Sequence, residues 1–207
     1  MKSIKAKGRG KGQAAPPQPA VDREYHGVGA VLNRLAKLYL LDFEQISSRL
    51  MSISISLQTA GPPIHILNAY APQSGVASHI KEAFYDQVES CLTTLPRAHP
   101  KYVFGDFNAR IHAKLDHEHM FGPHIFGRGR KYLHFTSDEV AENRYMFLIF
   151  CASCDLKVMN TFFQKVPENQ FTFREPATNH EPPWTPERFA QLDYVLAPES
   201  LKDGKNQ

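Results

Sequence analysis

A short, continuous apolar run leads directly into a carboxylate and an amide near the middle of the chain. The run Tyr102-Val103-Phe104 suits a strand that is buried on both faces, since such strands lack the alternation of half-exposed ones. It continues into Gly105-Asp106-Phe107-Asn108. Polar side chains at that point stand on a rigid support at the edge of a sheet layer, a common place for a site. The run therefore predicts a sheet protein with polar groups at a strand end.

The residues before this run predict a β-hairpin and a helix. A period of two over residues 50–57 indicates a half-buried strand whose small polar outer face consists of Ser52, Ser54 and Ser56. A Gly-Pro-Pro turn joins it to a second strand over residues 64–70. Apolar residues then recur at spacings of three and four, which predicts an amphipathic helix with Ser78 as its N-cap.

The remaining segments complete a pattern of mixed strands and helices. We expect a short buried strand at 27–32, a long loop at 109–136 and strands at 156–159, 171–173 and 191–196. A helix over 138–154, capped by Ser137, turns inward Val140, Phe147, Phe150, Cys151 and Cys154. In the last strand, Asp193 points to the face opposite Tyr194. The order predicts an α/β layered sandwich with mixed sheets.

The charge of the chain is unevenly distributed. Five of the 24 basic residues precede the first acidic residue, Asp22, so the remainder has 19 basic and 21 acidic residues. Residues 1–21 have almost no large apolar side chains, which predicts a disordered tail: a solvated leader, or a nuclear-localisation or nucleic-acid arm. We expect a single domain over 22–202 and a short tail over 203–207.

The composition bears on the compartment. No apolar run reaches about 18 residues, and no apolar segment at the N-terminus resembles a secretion signal. Three scattered cysteines do not form a disulfide framework. The sequence therefore predicts a nuclear or cytoplasmic protein without a membrane segment.

Three segments resemble, in the same order, motifs of the endonuclease/exonuclease/phosphatase superfamily. Residues 68–75 (Asn-Ala-Tyr-Ala-Pro-Gln-Ser-Gly) resemble its Tyr-Ala-Pro-Asn segment, 105–109 its Gly-Asp-Phe-Asn signature, and 191–196 its Ile-Asp-Tyr strand. Weaker matches lie at 27–29, 160–163 and 171–176. The resemblance spans about residues 26–200 and is strongest to the endonuclease domains of non-LTR retrotransposons and of craniofacial development protein-like proteins.

This resemblance implies a DNase I-like αββα sandwich of two mixed sheets and a metal-dependent phosphodiesterase in which water attacks phosphorus. Asp106 would orient and deprotonate that water, with a weak contact to the metal. Asn108 would hold the water or a phosphate oxygen, Tyr70 would hydrogen-bond the phosphate, and Asp193 would orient a histidine. Such chemistry needs positioned charge more than a protein nucleophile.

The same resemblance supplies further contacts and partners. Asn68, Gln73 and Arg110 would contact the substrate, and Mg²⁺ or Mn²⁺ would neutralise the developing charge. DNA is the expected partner, together with other parts of a retrotransposon polyprotein.

The sequence also departs from the family pattern. The family has a strand with a metal-binding Glu before the segment that matches residues 27–29, whereas Glu24 in this sequence lies too close to that segment to serve. The family also has a Ser-Asp-His motif after the strand of Asp193, whereas no histidine follows His180 here. Gln73 stands where Asn is usual. We therefore expect a partial domain that lacks an N-terminal and a C-terminal strand and has impaired activity.

Several residues have a simpler structural interpretation. Asp106 and Asn108 could form an ordinary strand-to-loop cap, Asp193 could pair with an arginine, and Tyr70 could be an aromatic at the core edge. Two alternative functions remain open: a non-catalytic domain that binds nucleic acid or protein, and a phosphatase acting on inositol phosphates or lipids.

Two further clusters carry weaker signals. His112 with residues 116–119 (Asp-His-Glu-His) could bind zinc or nickel, although a solvated loop is the favoured interpretation. Residues 128–131 could touch phosphate or be solvated. Cys151 and Cys154, at helical spacing, are expected to be core thiols.

Overall fold

The computed structural model of the chain describes residues 27–57 and 61–199. The expected tails at 1–21 and 203–207, and Glu24, lie outside the described residues.

One mixed sheet forms the centre of the fold. Its strand order is β1 (Leu40–Ser47), β2 (Leu50–Ile55), β3 (Ile64–Tyr70), β4 (Lys101–Asp106), β8 (Asp193–Pro198) and β5 (Leu156–Val158). Within this sheet only β3 and β4 run parallel. A second, two-stranded sheet contains β6 (Phe173–Arg174) and β7 (Phe189–Ala190). The predicted α/β fold is therefore confirmed, with one mixed sheet and a second sheet that is antiparallel.

The helices are α1 (Arg34–Tyr39), α2 (Ser78–Thr94) and α3 (Asp138–Ser153), and three 3₁₀ turns cover Arg130–His134, Met159–Phe162 and Pro167–Asn169. Helix α2 connects the parallel strands β3 and β4, as such a pair requires. Helices α2 and α3 pack on one face of the large sheet, which we call the helix face. Apolar side chains such as Phe84, Phe147, Leu67 and Leu196 share one core there. The other face is called the second face.

Strands β3 and β4 approach each other closely at Gly105. A Cβ added to this glycine would lie 1.8 Å from the carbonyl oxygen of Ala69, its partner across the ladder. The glycine is therefore a steric requirement of the central sheet.

Several sequence-based predictions are wrong in detail. Residues 27–32 are not a buried strand. They are mostly exposed, and none of the described strands forms a ladder with them. Ser78 is the first residue of α2 rather than its cap, and its hydroxyl bonds Glu142 instead. In β4, only Val103 of the apolar run is buried, because its neighbours point to the second face.

The predicted strand β2 is present, but its serine side is not the solvent face that the alternation predicts. Ser52 and Ser54 share the helix face with His65, whose Nδ1 lies 2.9 Å from the Ser54 hydroxyl. The isoleucines therefore point to the second face, where Ile53 is buried.

The long loop after β4 is anchored by a buried ion pair, which contradicts the expectation of a solvated loop. Glu118 is only 2% exposed and accepts bonds from Arg144 on α3 and from the Leu115 amide. Arg144 also donates to the carbonyls of Ile111 and Ala113. Among the residues described, no group of three or more His, Cys, Asp or Glu side chains could hold a metal, so the zinc or nickel interpretation is wrong there.

The cysteines behave as predicted. Cys151 is buried and burial raises the pKa of its thiol, while the pKa of Cys154 rises to about 11. Within residues 27–57 and 61–199, no helix combines the length and the apolar character needed to span a bilayer.

Replacing Gly105 with alanine forces β3 and β4 apart, because the new Cβ meets backbone atoms rather than a flexible side chain. We expect a loss in the free energy of unfolding of about 3 kcal/mol, measured by urea denaturation. Gly75→Ala is the control, since a Cβ there meets nothing within 4 Å. Equal midpoints for the two variants would contradict the steric argument.

Replacing Glu118 with glutamine keeps its shape but leaves the Arg144 guanidinium buried without an opposite charge. We expect a destabilisation of about 3 kcal/mol in thermal or urea unfolding. Asp116→Asn removes a carboxylate that is 92% exposed and pairs with Arg130 at the surface, so it changes stability by less than about 0.5 kcal/mol. A loss no larger than that of the control would show that the ion pair does not anchor the loop.

Candidate active site

Three of the predicted site residues lie in one row across the sheet. Tyr70 is the ladder partner of Asp106, and Asp106 is the ladder partner of Asp193. Opposed residues in a ladder point to the same face, so all three side chains project from the second face. Asp193 and Val195 are exposed while Tyr194 is buried, which confirms the predicted direction of Asp193.

Asp106 is the electrostatic centre of this row. Its Oδ1 accepts a hydrogen bond of 2.8 Å from the Asn108 amide, which favours the charged form. Desolvation by burial and the nearby charge of Asp193 act in the opposite direction and prevail, so the pKa of Asp106 rises from 3.8 to about 6. Two carboxylates side by side, with one partly held neutral, form a place where a divalent cation would relieve repulsion.

Asn108 turns the chain directly after this strand. Its φ of 47° is in the left-handed region, which Asn tolerates better than most residues. Its Nδ2 donates to the Ala71 carbonyl at 2.8 Å, and its own carbonyl accepts from Asn143 on α3. Asn108 therefore links the ends of β3 and β4, and the interpretation of a strand-to-loop cap describes part of its role.

Asp193 is fixed through its backbone rather than its carboxylate. Thr172 accepts hydrogen bonds from the amides of Leu192 and Asp193, at 3.0 and 3.1 Å. Asn160 accepts from the Val195 amide at 2.7 Å and donates to the Asp193 carbonyl at 3.4 Å. Within the described part of the chain, no side chain forms an ion pair or hydrogen bond with the Asp193 carboxylate, so the arginine pairing is not found there.

The sequence predicts no role for Asn160 or Thr172. Both lie in the weaker motif matches, at 160–163 and 171–176, which are the sequence signal that could identify them. Only the fold shows that the two side chains meet the same strand from separate segments.

Tyr70 is half-buried and has a neighbour that the sequence did not indicate. The guanidinium of Arg49, at the start of β2, lies 5.1 Å from the centre of the Tyr70 ring. It also donates to the Tyr70 carbonyl at 3.4 Å. A cation thus stands at the same end of the sheet as the carboxylates.

The three predicted substrate contacts occupy different positions. Asn68 lies two residues before Tyr70 on the same face and donates to the Gly29 carbonyl at 2.7 Å. Gln73 is exposed in the loop after β3. Arg110 pairs with Glu175 at 2.5 Å and lies 5.7 Å from the centre of the Phe173 ring, so part of its charge is already neutralised.

Comparisons with known proteins give no match by sequence and several by structure. No family model matches the chain, and no curated protein is significantly similar to it. A 3′ phosphatase, NExo from Neisseria, solved with a product DNA hairpin, superposes with a TM-score of 0.51 and 11% identity over 78% of this chain and 59% of its own. The AP endonuclease LMAP from Leishmania major superposes with a TM-score of 0.51 and 16% identity over 76% of this chain and 48% of its own.

The chain shares the fold of NExo and LMAP. The endonuclease domain of TRAS1, a telomere-specific non-LTR retrotransposon, also superposes, with a TM-score of 0.45 and 14% identity over 79% of this chain and 58% of its own. The chain spans about half the length of the solved proteins with this fold that it matches.

Replacing Asp106 with asparagine tests its raised pKa. Because the pKa of Asp106 is raised in the folded state, its ionisation lowers the free energy of unfolding progressively between pH 3.8 and about 6, and the loss is complete above that range. Because asparagine carries no charge, we expect Asp106→Asn to exceed the parent protein in stability at pH 7.5, by on the order of 1 kcal/mol after solvent screening, and to equal it at about pH 3, where Asp106 is protonated in both the folded and the unfolded state. Urea denaturation in EDTA measures both values.

The Asp116→Asn variant is the control for removing a negative charge and should show no such pH dependence. If Asp106→Asn is less stable than its parent at pH 7.5, then the folded protein does not disfavour the ionised form of Asp106, and the raised pKa is contradicted.

Proposed function

We propose that the chain hydrolyses phosphodiester bonds of DNA with the help of a divalent metal ion. The observation that carries this proposal is the row of Tyr70, Asp106 and Asp193, with the pKa of Asp106 raised to about 6. A carboxylate with a pKa near neutrality can accept a proton from water and still be ionised at physiological pH. The fold shared with nucleases and phosphatases supports the reaction class.

In this proposal the side chains act on the water, the phosphate and the metal. Asp106 orients the attacking water and accepts its proton. The Tyr70 hydroxyl donates a hydrogen bond to a phosphate oxygen, and the nearby Arg49 favours binding of the anion. Asn108 fixes the backbone beside Asp106 and, with Asn68, Gln73 and Arg110, contributes substrate contacts.

Asp106 and Asp193 would hold the metal, since both are oxygen donors and their mutual repulsion is relieved by a cation. When bound, Mg²⁺ or Mn²⁺ would stabilise the charge that develops on the phosphoryl oxygens. Among the described residues these two carboxylates have no third His, Cys, Asp or Glu beside them. We therefore propose weak metal binding and slow turnover.

The segment Asn-Ala-Tyr-Ala-Pro at residues 68–72 resembles that of retrotransposon endonucleases, which favours this type of enzyme over a lipid or inositol phosphatase. Cys91, Cys151 and Cys154 are free thiols and form no disulfide with a described residue, which fits a nuclear or cytoplasmic site of action.

A second candidate is a domain that binds nucleic acid or protein without catalysis. The sparse set of metal ligands within the described residues favours it, because two carboxylates alone hold a cation loosely.

Plasmid nicking by the purified chain, at millimolar Mg²⁺ or Mn²⁺, tests the proposal. We expect nicking that Asp106→Asn reduces at least a hundredfold and Tyr70→Phe about tenfold, since the first removes the base and the second one hydrogen bond. Asp116→Asn should nick like the parent.

Thermal unfolding provides a second readout that does not depend on turnover. Metal should raise the midpoint of the parent protein and leave that of Asp106→Asn unchanged. A midpoint shift without nicking would support the binding domain, and nicking that survives in Asp106→Asn would refute the assigned roles.

A further inference from the structure

The outer surface of the two long helices contains a groove whose lining residues take no part in the proposed chemistry. It runs between α2 and α3, and its empty volume, including solvent at the mouth, is about 580 Å³. Tyr85 and Phe150 form its floor, and both are almost fully buried. The groove thus has an apolar base that is open to a ligand.

Helix α3 is more apolar than its place in the fold requires. Residues 146–151 are six consecutive apolar side chains, which cover the whole circumference of a helix. The core takes Phe147, Phe150 and Cys151, while Tyr145 and Ile149 remain 63% and 49% exposed at the groove. A helix that is apolar on all sides is usually covered on all sides, so this exposed side indicates a contact surface.

The rim of the groove carries one sign of charge. Glu82, Asp86 and Glu89 lie along α2 at spacings of four and three, which places them on one side of the helix. No lysine or arginine among the described residues lines the groove. Glu142, on α3, is neutralised by Lys81, but the three rim carboxylates form no ion pair with a described residue.

We propose that this groove docks a basic amphipathic helix of another protein. Apolar side chains of the partner would pack on Tyr85, Ile149 and Phe150, and its lysines or arginines would pair with the rim carboxylates. The acidic rim repels the phosphates of nucleic acids and of anionic lipids. It also opposes a symmetric contact with a second copy, because the two acidic rims would face each other.

The probe is a synthetic helical peptide of about 18 residues, about 27 Å long, with leucines on one face and lysines on the other. Fluorescence anisotropy with the full chain measures its Kd. We expect Ile149→Asp and Tyr145→Ala each to raise the Kd at least tenfold. Tyr145 is 63% and Ile149 49% exposed, so we expect at least the Tyr145→Ala variant to keep the parent's unfolding midpoint. The double variant Glu82→Gln, Asp86→Asn should also weaken binding and reduce its dependence on salt.

The matched control is Ile80→Asp, which changes an apolar residue of α2 that is 39% exposed and lies outside the groove. It should bind the peptide like the parent. A peptide with glutamates in place of the lysines should not bind. The proposal is overturned if Ile149→Asp binds as well as Ile80→Asp or if both peptides bind equally. It is also overturned if sedimentation shows a parent dimer that Ile149→Asp dissociates, since the occupant would then be a second copy.

Discussion

Strand β4 hydrogen-bonds to β3 on one side and to β8 on the other, and this double pairing sets the relative positions of the proposed catalytic groups. The parallel register with β3 brings Tyr70 opposite Asp106, and the antiparallel register with β8 brings Asp193 opposite the same residue. The close approach at Gly105 permits this arrangement, because any larger residue there would collide with Ala69. A shift of β3 or β8 by one residue against β4 would send Tyr70 or the Asp193 carboxylate to the opposite face.

The surroundings of the row come from segments far apart in sequence. The Tyr194 hydroxyl lies 2.9 Å from the Ala109 carbonyl and 2.7 Å from that of Gln191, so it joins the loop after β4 to the start of β8. Asn160 and Thr172 fix β8 from two further segments. These bonds hold two carboxylates near each other against their repulsion, a cost in stability that is common where a site serves function.

The sequence predicts most of the strands and helices because their apolar periodicity is local. Helix α3 and the hairpin of β2 and β3 have such a pattern. Tyr70 and Asp106 end their strands as the sequence predicts, whereas Asp193 begins β8 instead of lying inside a strand over 191–196. The sequence does not predict α1 and β1, since β1 is an exposed edge strand with little alternation. Nor does it predict the burial of Glu118 or the place of Arg49 beside Tyr70, because both depend on partners 21 to 26 residues away.

The anchored loop after β4 has a kinetic consequence. A segment without regular structure usually exchanges its amide hydrogens quickly and is cut early by proteases. Here Ile111, Phe121 and the Glu118 side chain are buried, and Arg144 ties the segment to the middle of α3. Opening it would leave the Arg144 guanidinium without its opposite charge and without the carbonyls that accept its hydrogen bonds. We therefore expect the segment to open together with the helices, so that its hydrogen-bonded amides exchange with deuterium more slowly than those of an unanchored loop.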